Sequence, residues 1–249
     1  MKIAIIGCGW LGFPLAKKLL KNGHYIFGST TTINKFDELV AESIQPFLYD
    51  GLLNKLISIP TNEINCLIIN FPPSKSHNYP NQIAELIQQF PENCKIIFTS
   101  STSVYQDLEE EMNENGAVKI DHAVFLAEEI LRSSEKQATI LRLAGLIGAN
   151  RHPIKFLSGK NIEHGNMAIN LVHQDDVIAA IICVIEKNAW NKTYNVCWFD
   201  HPKKGDYYLN AAKKFGLTPP IVVFSDFIGK SIDGNLIVTE LGFQYKYTI

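Results

Sequence analysis

The chain is predicted to be an α/β protein built on a doubly wound parallel sheet, and three features of the sequence carry that prediction. Its start, Lys2 to Ile6, is a short apolar, β-branched run that passes directly into glycines at Gly7, Gly9 and Gly12. Behind it, strand-like apolar runs alternate with stretches of helical periodicity, the pattern that gives parallel strands joined by right-handed crossovers. At 249 residues and 46% hydrophobic, the chain can bury a large core as one domain over 1–249.

Each glycine of the first turn has its own mechanical task. Gly7 permits the tight turn, Gly9 lets backbone come close to a pyrophosphate, and Gly12 lets the next helix pack closely on its strand with its first amides facing the phosphates. Three glycines also mark an ordinary strand-to-helix turn, but here both the strand before and the helix after have the right pattern. The reading is a Rossmann-type dinucleotide site contacted by Gly7, Gly9, Trp10, Leu11 and Gly12. The helix itself, Phe13 to Leu20, has Leu15, Ala16, Leu19 and Leu20 at helical spacing, Pro14 in its first turn and Asn22-Gly23 as its stop.

Further strands are expected at His24 to Gly28, Pro46 to Tyr49, Cys66 to Asn70, Lys95 to Ser100 and Ala138 to Leu143. Helices are expected at Asn81 to Phe90, Asp121 to Glu135, Asp175 to Lys187 and Lys203 to Phe215. Ligands of such sheets collect at the carboxyl ends of the strands. After Gly145 the pattern turns irregular, and segments 145–170 and 195–249 are read as a small C-terminal substrate lobe.

The end of the second strand decides which nicotinamide cofactor a Rossmann site prefers, because an acid there bonds the ribose 2′-hydroxyl and repels a 2′-phosphate. Here it reads Gly28-Ser29-Thr30-Thr31-Thr32, with no acid before Asp37 and with Lys35 nearby. Hydroxyl donors at Ser29, Thr30, Thr31 and Thr32, with Lys35, favour NADP over NAD; a loop capping the next helix is the alternative. Asp50, ending the third strand, is expected at the adenine edge or as a helix cap. Asn70, Phe71 and Pro72 are expected as a wall beside the cofactor, since proline stiffens a loop and brings no competing donor.

The fifth strand ends Thr99-Ser100-Ser101-Thr102-Ser103-Val104-Tyr105. With Leu141-Arg142-Leu143-Ala144-Gly145-Leu146-Ile147-Gly148 and Val172-His173-Gln174-Asp175-Asp176-Val177, in that order behind the glycine loop, the chain resembles the extended short-chain dehydrogenase/reductases, the epimerase/dehydratase-like proteins. The resemblance implies a catalytic hydroxyl at Ser101 and a cofactor contact at Ser100. It breaks at the Tyr-x-x-x-Lys pair, whose lysine lowers the tyrosine pKa for proton transfer. Ile120 and Val124 fill those two slots.

Tyr105, just past Ser101, is the replacement carried forward, although the corresponding tyrosine of the family is usually structural. His122, beside Asp121, has the titration range of a general acid but also reads as part of a helix cap. His173 is read as ordering a loop, and Asp175 and Asp176 as capping the helix that follows. The resemblance implies that Asn150, Arg151 and His152 lie near substrate phosphates or sugars; Arg151 suits an anionic group and reads equally as a surface arginine. The acids at Asp107, Glu109, Glu110, Glu111 and Glu114 are read as solvent-facing, and no metal is expected.

A net charge of -2 without a basic stripe argues against nucleic acid. No run approaches the roughly 20 apolar residues of a membrane span. The five cysteines form no Cys-x-x-Cys pair and read as reduced core residues of a cytoplasmic protein. The expected partner is a small-molecule substrate, and the chain is expected as a monomer or homodimer. Two functions are carried forward: an NADP-dependent oxidoreductase or epimerase with an atypical site, and an NADP(H)-binding sensor without chemistry. A third reading, the loop of a β-hydroxyacid dehydrogenase, leaves the serine strand unexplained.

Overall fold

The computed structural model describes residues 1–51, 54–73, 78–148 and 150–249. Its main sheet takes strands β1 (Lys2–Ile6), β2 (Tyr25–Thr30), β3 (Gln45–Asp50), β4 (Lys55–Ile57), β5 (Cys66–Ile69) and β6 (Lys95–Ser101). After β7 (Glu111–Met112) come β8 (Ala138–Leu143), β9 (Gly145–Ile147), β10 (Asn161–Ile162), β11 (Leu171–His173), β12 (Thr193–Val196), β13 (Ile221–Val222) and β14 (Ser231–Ile232). The helices are α1 (Gly12–Lys21), α2 (Phe36–Ala41), α3 (Tyr79–Gln88), α4 (Ala123–Ser133), α5 (Ile154–Leu157), α6 (Gln174–Glu186), α7 (Lys204–Phe215) and α8 (Asn235–Leu241).

The eight-stranded sheet has the order β12-β8-β6-β5-β1-β2-β3-β4. The β1–β2, β2–β3, β1–β5 and β5–β6 ladders are parallel, and β4 turns back antiparallel on β3. The chain moves outward from β1 through β2 and β3, then crosses to the other side of β1 at β5. Strand order therefore reverses between β1 and β5, the crevice where doubly wound sheets bind their ligands. Apolar side chains on both faces of β1 make it central: Ile3, Ala4, Ile5 and Ile6 are all fully buried.

Every strand expected before residue 144 forms, with ends shifted by a residue or two. The sequence pattern missed α2 and β4, which are too short for a periodicity to develop, and the small pairs β9–β11, β10–β13 and β7–β14.

Two compact units divide the chain. The first comprises Met1–Val104, Lys119–Leu141 and Ile181–Thr193; the second comprises Tyr105–Val118, Arg142–Ala180 and Tyr194–Ile249. Besides the segments expected for a substrate lobe, the second unit thus takes in the stretch after the serine strand. Its apolar core gathers Ile147, Ile154, Ile162, Ile169, Leu171 and Tyr208.

The acidic stretch contributes to that unit instead of only facing solvent. Asp107 remains exposed but pairs with Lys230 at 2.7 Å, Glu109 accepts from the Ile228 amide at 2.9 Å, and Glu114 accepts from the Asn195 amide at 2.7 Å. Burial raises the Glu114 pKa. Asp176 is likewise buried, and its two oxygens accept from the Lys246 and Tyr247 amides, so it anchors the segment after α8 in addition to standing in the first turn of α6. Arg142 is buried within the same unit and donates to Tyr105 Oη at 2.9 Å and to the Glu114 carbonyl at 3.0 Å. Replacing a buried, hydrogen-bonded cation strands its partners. Arg142→Met is expected to destabilise the protein by about 3 kcal/mol, read as a lowered urea midpoint.

Candidate functional site

The glycine turn is held from both neighbouring strands. Ser29 Oγ, on β2, accepts from the Gly7 amide at 2.8 Å; Asn70 Nδ2, just after β5, donates to the Gly7 carbonyl at 3.1 Å. Thr99 Oγ1 in turn donates to Asn70 Oδ1 at 3.2 Å and fixes that amide. Gly7 has φ +96°, and a Cβ there would lie 2.1 Å from the Asn70 carbonyl oxygen. At Gly12 a Cβ would lie 2.4 Å from the Gly7 carbonyl oxygen, so the helix sits directly on the turn. Gly9 differs: a Cβ added to it meets nothing within 4 Å. Two glycines serve the turn itself, and the third presents bare backbone to open space.

Beside Gly9 lies a cavity of about 260 Å³ bordered by Cys8, Trp10, Phe13, Thr30, Lys35 and Glu38. It is set by the N-terminus of α1, whose first turn has no side-chain cap. These residues fit a dinucleotide: uncrowded backbone at Gly9, a helix N-terminus for phosphate, and a cation at Lys35. Burial, reinforced by Glu38, pushes the Cys8 thiol up to about 12, so it lines the cavity as a neutral group.

Several hydroxyls expected at the cofactor are committed elsewhere. Ser29 holds Gly7, and Thr30 Oγ1 closes on the backbone of Thr32. Thr31 remains exposed, as does Lys35. Ser100 is buried, and its hydroxyl donates to Glu128 Oε1 at 2.5 Å; Arg132 Nη2 donates to the other carboxylate oxygen at 2.8 Å. This corrects the expectation of a cofactor contact at Ser100. Neighbouring strand residues point to opposite faces, so Ser100 and Ser101 cannot both face one ligand. Leu11 is buried, which leaves only its backbone for a ligand. Phe71 packs its ring at 5.5 Å from those of Tyr49 and Tyr79, and its carbonyl accepts from Tyr79 Oη; Pro72 is exposed. The side chain of Asp50 lies outside the described residues.

Tyr105 is the larger correction. It is fully buried in the second unit, where its hydroxyl donates to Asn195 Oδ1 at 2.7 Å and accepts from Arg142. Burial raises its pKa despite the opposing pull of Arg142. A catalytic phenol needs an exposed hydroxyl with a lowered pKa; Tyr105 has neither.

A different pair stands after β6. Ser101 Oγ accepts from the Ser103 amide at 3.1 Å, and Ser103 Oγ lies 3.4 Å from His122 Nε2. His122 Nδ1 accepts from the Val124 amide at 3.2 Å as the cap of α4, which assigns the neutral ring's proton to Nε2. The cap and acid readings of His122 are thus compatible. Ser103 was missed in the sequence, where a second serine in a Ser/Thr-rich stretch carries no signal. Ile120, at the tyrosine slot, is exposed, and Val124, at the lysine slot, is buried. Among the described residues no three His, Cys, Asp or Glu side chains are disposed to hold a metal, and no helix is long and apolar enough to cross a membrane.

Comparison with known proteins agrees with the turn and the sheet. A family model described as the NAD binding domain of 6-phosphogluconate dehydrogenase matches residues 2–129. The chain belongs to this NAD-binding family. The match spans the glycine turn and the serine strand together. Protein YeeZ of Escherichia coli K12 is 33% identical over 266 residues, covering 99% of this chain and 96% of that protein. Among solved structures, the UDP-glucuronic acid 4-epimerase of Bacillus cereus in complex with NAD superposes with a TM-score of 0.81 at 18% identity, over 100% of this chain and 94% of that one. The human epimerase family protein SDR39U1 with NADPH gives 0.73 at 15% identity, over 99% and 95%. This NAD-binding protein therefore has the epimerase-like short-chain dehydrogenase/reductase fold.

The two kinds of glycine in its turn separate folding from binding. Gly7→Ala is expected to cost more than about 2 kcal/mol, because positive φ and a backbone clash coincide. Gly9→Ala is expected to keep the parent melting temperature and to weaken NAD(P)H binding, followed by quenching of Trp10 emission.

Proposed function

We propose that the protein is an NADP-dependent oxidoreductase or epimerase-like enzyme acting on a small polar carbonyl or sugar-nucleotide substrate through an atypical proton donor. The observation that carries this reading is the serine-histidine arrangement after β6, in the same unit as the glycine turn. Bound nicotinamide supplies or takes the hydride. Ser101, whose oxygen accepts from the Ser103 amide, keeps its own proton for a substrate carbonyl. His122 holds a proton on Nε2 next to Ser103 Oγ, and together they take the place of the absent phenol. Positioned acid groups contribute roughly 10²–10⁴-fold to such steps.

A second reading, an NADP(H)-binding sensor without chemistry, is favoured by Ile120 and Val124 in the tyrosine and lysine slots. NADPH oxidation with a panel of small aldehydes, ketones and nucleotide sugars separates the two. Ser101→Ala and His122→Gln are each expected to lower kcat at least about a hundredfold while leaving NADPH affinity unchanged. Binding of NADPH with no oxidation of it under any carbonyl would favour the sensor.

The preference for NADP rests on Lys35 and Thr31, the exposed groups that remain after Ser29 and Thr30 are committed. Glu38 borders the same cavity and opposes a 2′-phosphate. Lys35→Gln is expected to weaken NADPH relative to NADH about tenfold, equivalent to about 1.4 kcal/mol, and Glu38→Gln to strengthen it. Equal affinities in the parent would remove the preference.

A further inference from the structure

The second unit contains a cavity of about 510 Å³ that no part of the cofactor reading uses. It opens at the carboxyl ends of the paired strands β9 and β11, where Gly148 and His173 border it. One side of it is made by Thr248 and Ile249, from the stretch that follows α8. That helix ends at Gly242, whose φ of +66° turns the chain back, with open space where a Cβ would stand. The residues just beyond are anchored by rings. Phe243 is buried, and Tyr245 packs edge-on against Phe243 at 4.8 Å and Phe199 at 5.0 Å. Tyr245 Oη also accepts from the Cys197 amide at 3.2 Å and donates to the Gly234 carbonyl at 3.3 Å.

From Lys246 onward the hold on the fold changes. Lys246, Tyr247 and Thr248 are exposed, and among the described residues none makes a backbone-to-backbone hydrogen bond with 243–249. The fastening comes from the start of α6. Asp176, buried in the first turn of that helix, accepts from the Lys246 amide at 2.9 Å on one oxygen and from the Tyr247 amide at 3.1 Å on the other. The Tyr247 ring stacks on His173 with centroids 4.3 Å apart and planes 16° from parallel, and its hydroxyl bonds the Asp175 carboxylate. His173 is a fixed platform for that ring. Its Nδ1 accepts from the Asp175 amide at 3.2 Å, and a Cβ at Gly148 would come within 2.9 Å of its Nε2. Segments with few backbone bonds and exposed side chains are those that open locally while the core stays folded.

We propose that residues 246–249 form a strap that moves on the Tyr245 anchor, closing one side of the cavity when docked on Asp176 and His173 and opening it when released. Asp176 is the clamp, because a carboxylate offers each amide its own charged oxygen. Release uncovers a face of His173 and takes Thr248 and Ile249 out of the cavity wall. The proposal draws on the second unit alone and stands independently of cofactor chemistry.

Two measurements on the full chain test it: hydrogen exchange at the Lys246 and Tyr247 amides, and modification of His173 and His152 by diethyl pyrocarbonate, both read by mass spectrometry. His152 borders the cavity but has Tyr207 and Phe215, not the strap, for ring neighbours, so its reactivity reports access to the interior. In the parent the two strap amides are expected to exchange at least about tenfold faster than the buried Ile178 and Ala180 amides of α6. Asp176→Asn is expected to speed strap exchange about tenfold, with modification of His173 rising alongside. Tyr247→Ala, at an exposed side chain, is expected to keep the parent melting temperature while strap exchange and His152 modification both rise, and it carries the test if Asp176→Asn fails to fold. Strap amides as protected as Ile178 and Ala180 would make 246–249 a fixed wall and overturn the proposal. Faster strap exchange with His152 reacting at the parent rate would overturn the gating of the cavity.

Discussion

The structure depends on the closing of one turn. The reversal of strand order between β1 and β5 places the Gly7 turn beside Asn70, and the two are locked by a side-chain amide donating to a backbone carbonyl and by a glycine with no room for a Cβ. Ser29 fixes the other side of the same peptide. Because β1, β2 and β5 all contribute, the turn forms only when the parallel sheet is assembled. The bare backbone of Gly9 and the uncapped N-terminus of α1 are products of that closure.

This lock also explains why so few of the hydroxyls near the cavity remain for a ligand. Buried or half-buried polar groups are costly unless paired, so the fold recruits them first. Ser29 and Asn70 serve the turn, Thr30 serves its own loop, and Ser100 donates to Glu128. Outside these commitments stand the backbone at Gly9 and the exposed side chains of Thr31 and Lys35, with Glu38 bordering the same cavity as the lysine. Tyr105 follows the same logic in the second unit, where Arg142 and Asn195 occupy its hydroxyl.

The proposed reaction differs from the short-chain dehydrogenase/reductase pattern in its proton donor. With Ile120 and Val124 where a tyrosine and lysine would stand, a histidine at the start of the same helix carries a proton on the nitrogen that faces Ser103. One ring nitrogen caps the helix and thereby fixes the tautomer that makes the other a donor. In the proposed reaction a single imidazole meets a structural role and a chemical one.

The sequence by itself determined the sheet and its turn, because hydrophobic period and glycine placement are local properties. Lys2 to Ile6, the glycines behind it and the strand at Ala138–Leu143 are all legible without coordinates. It also indicated that the Tyr-x-x-x-Lys pair is missing. The alternation of Ser100 and Ser101 across the strand is legible too, from the period-two geometry of a strand. Only the tertiary structure decided which hydroxyls are spent, since Glu128, Arg142 and Asn195 are 28, 37 and 90 residues from the side chains they engage. The same holds for the cavity of the second unit: Arg151, Lys155 and Lys214 stand on separate stretches of sequence, and folding alone brings them around one space.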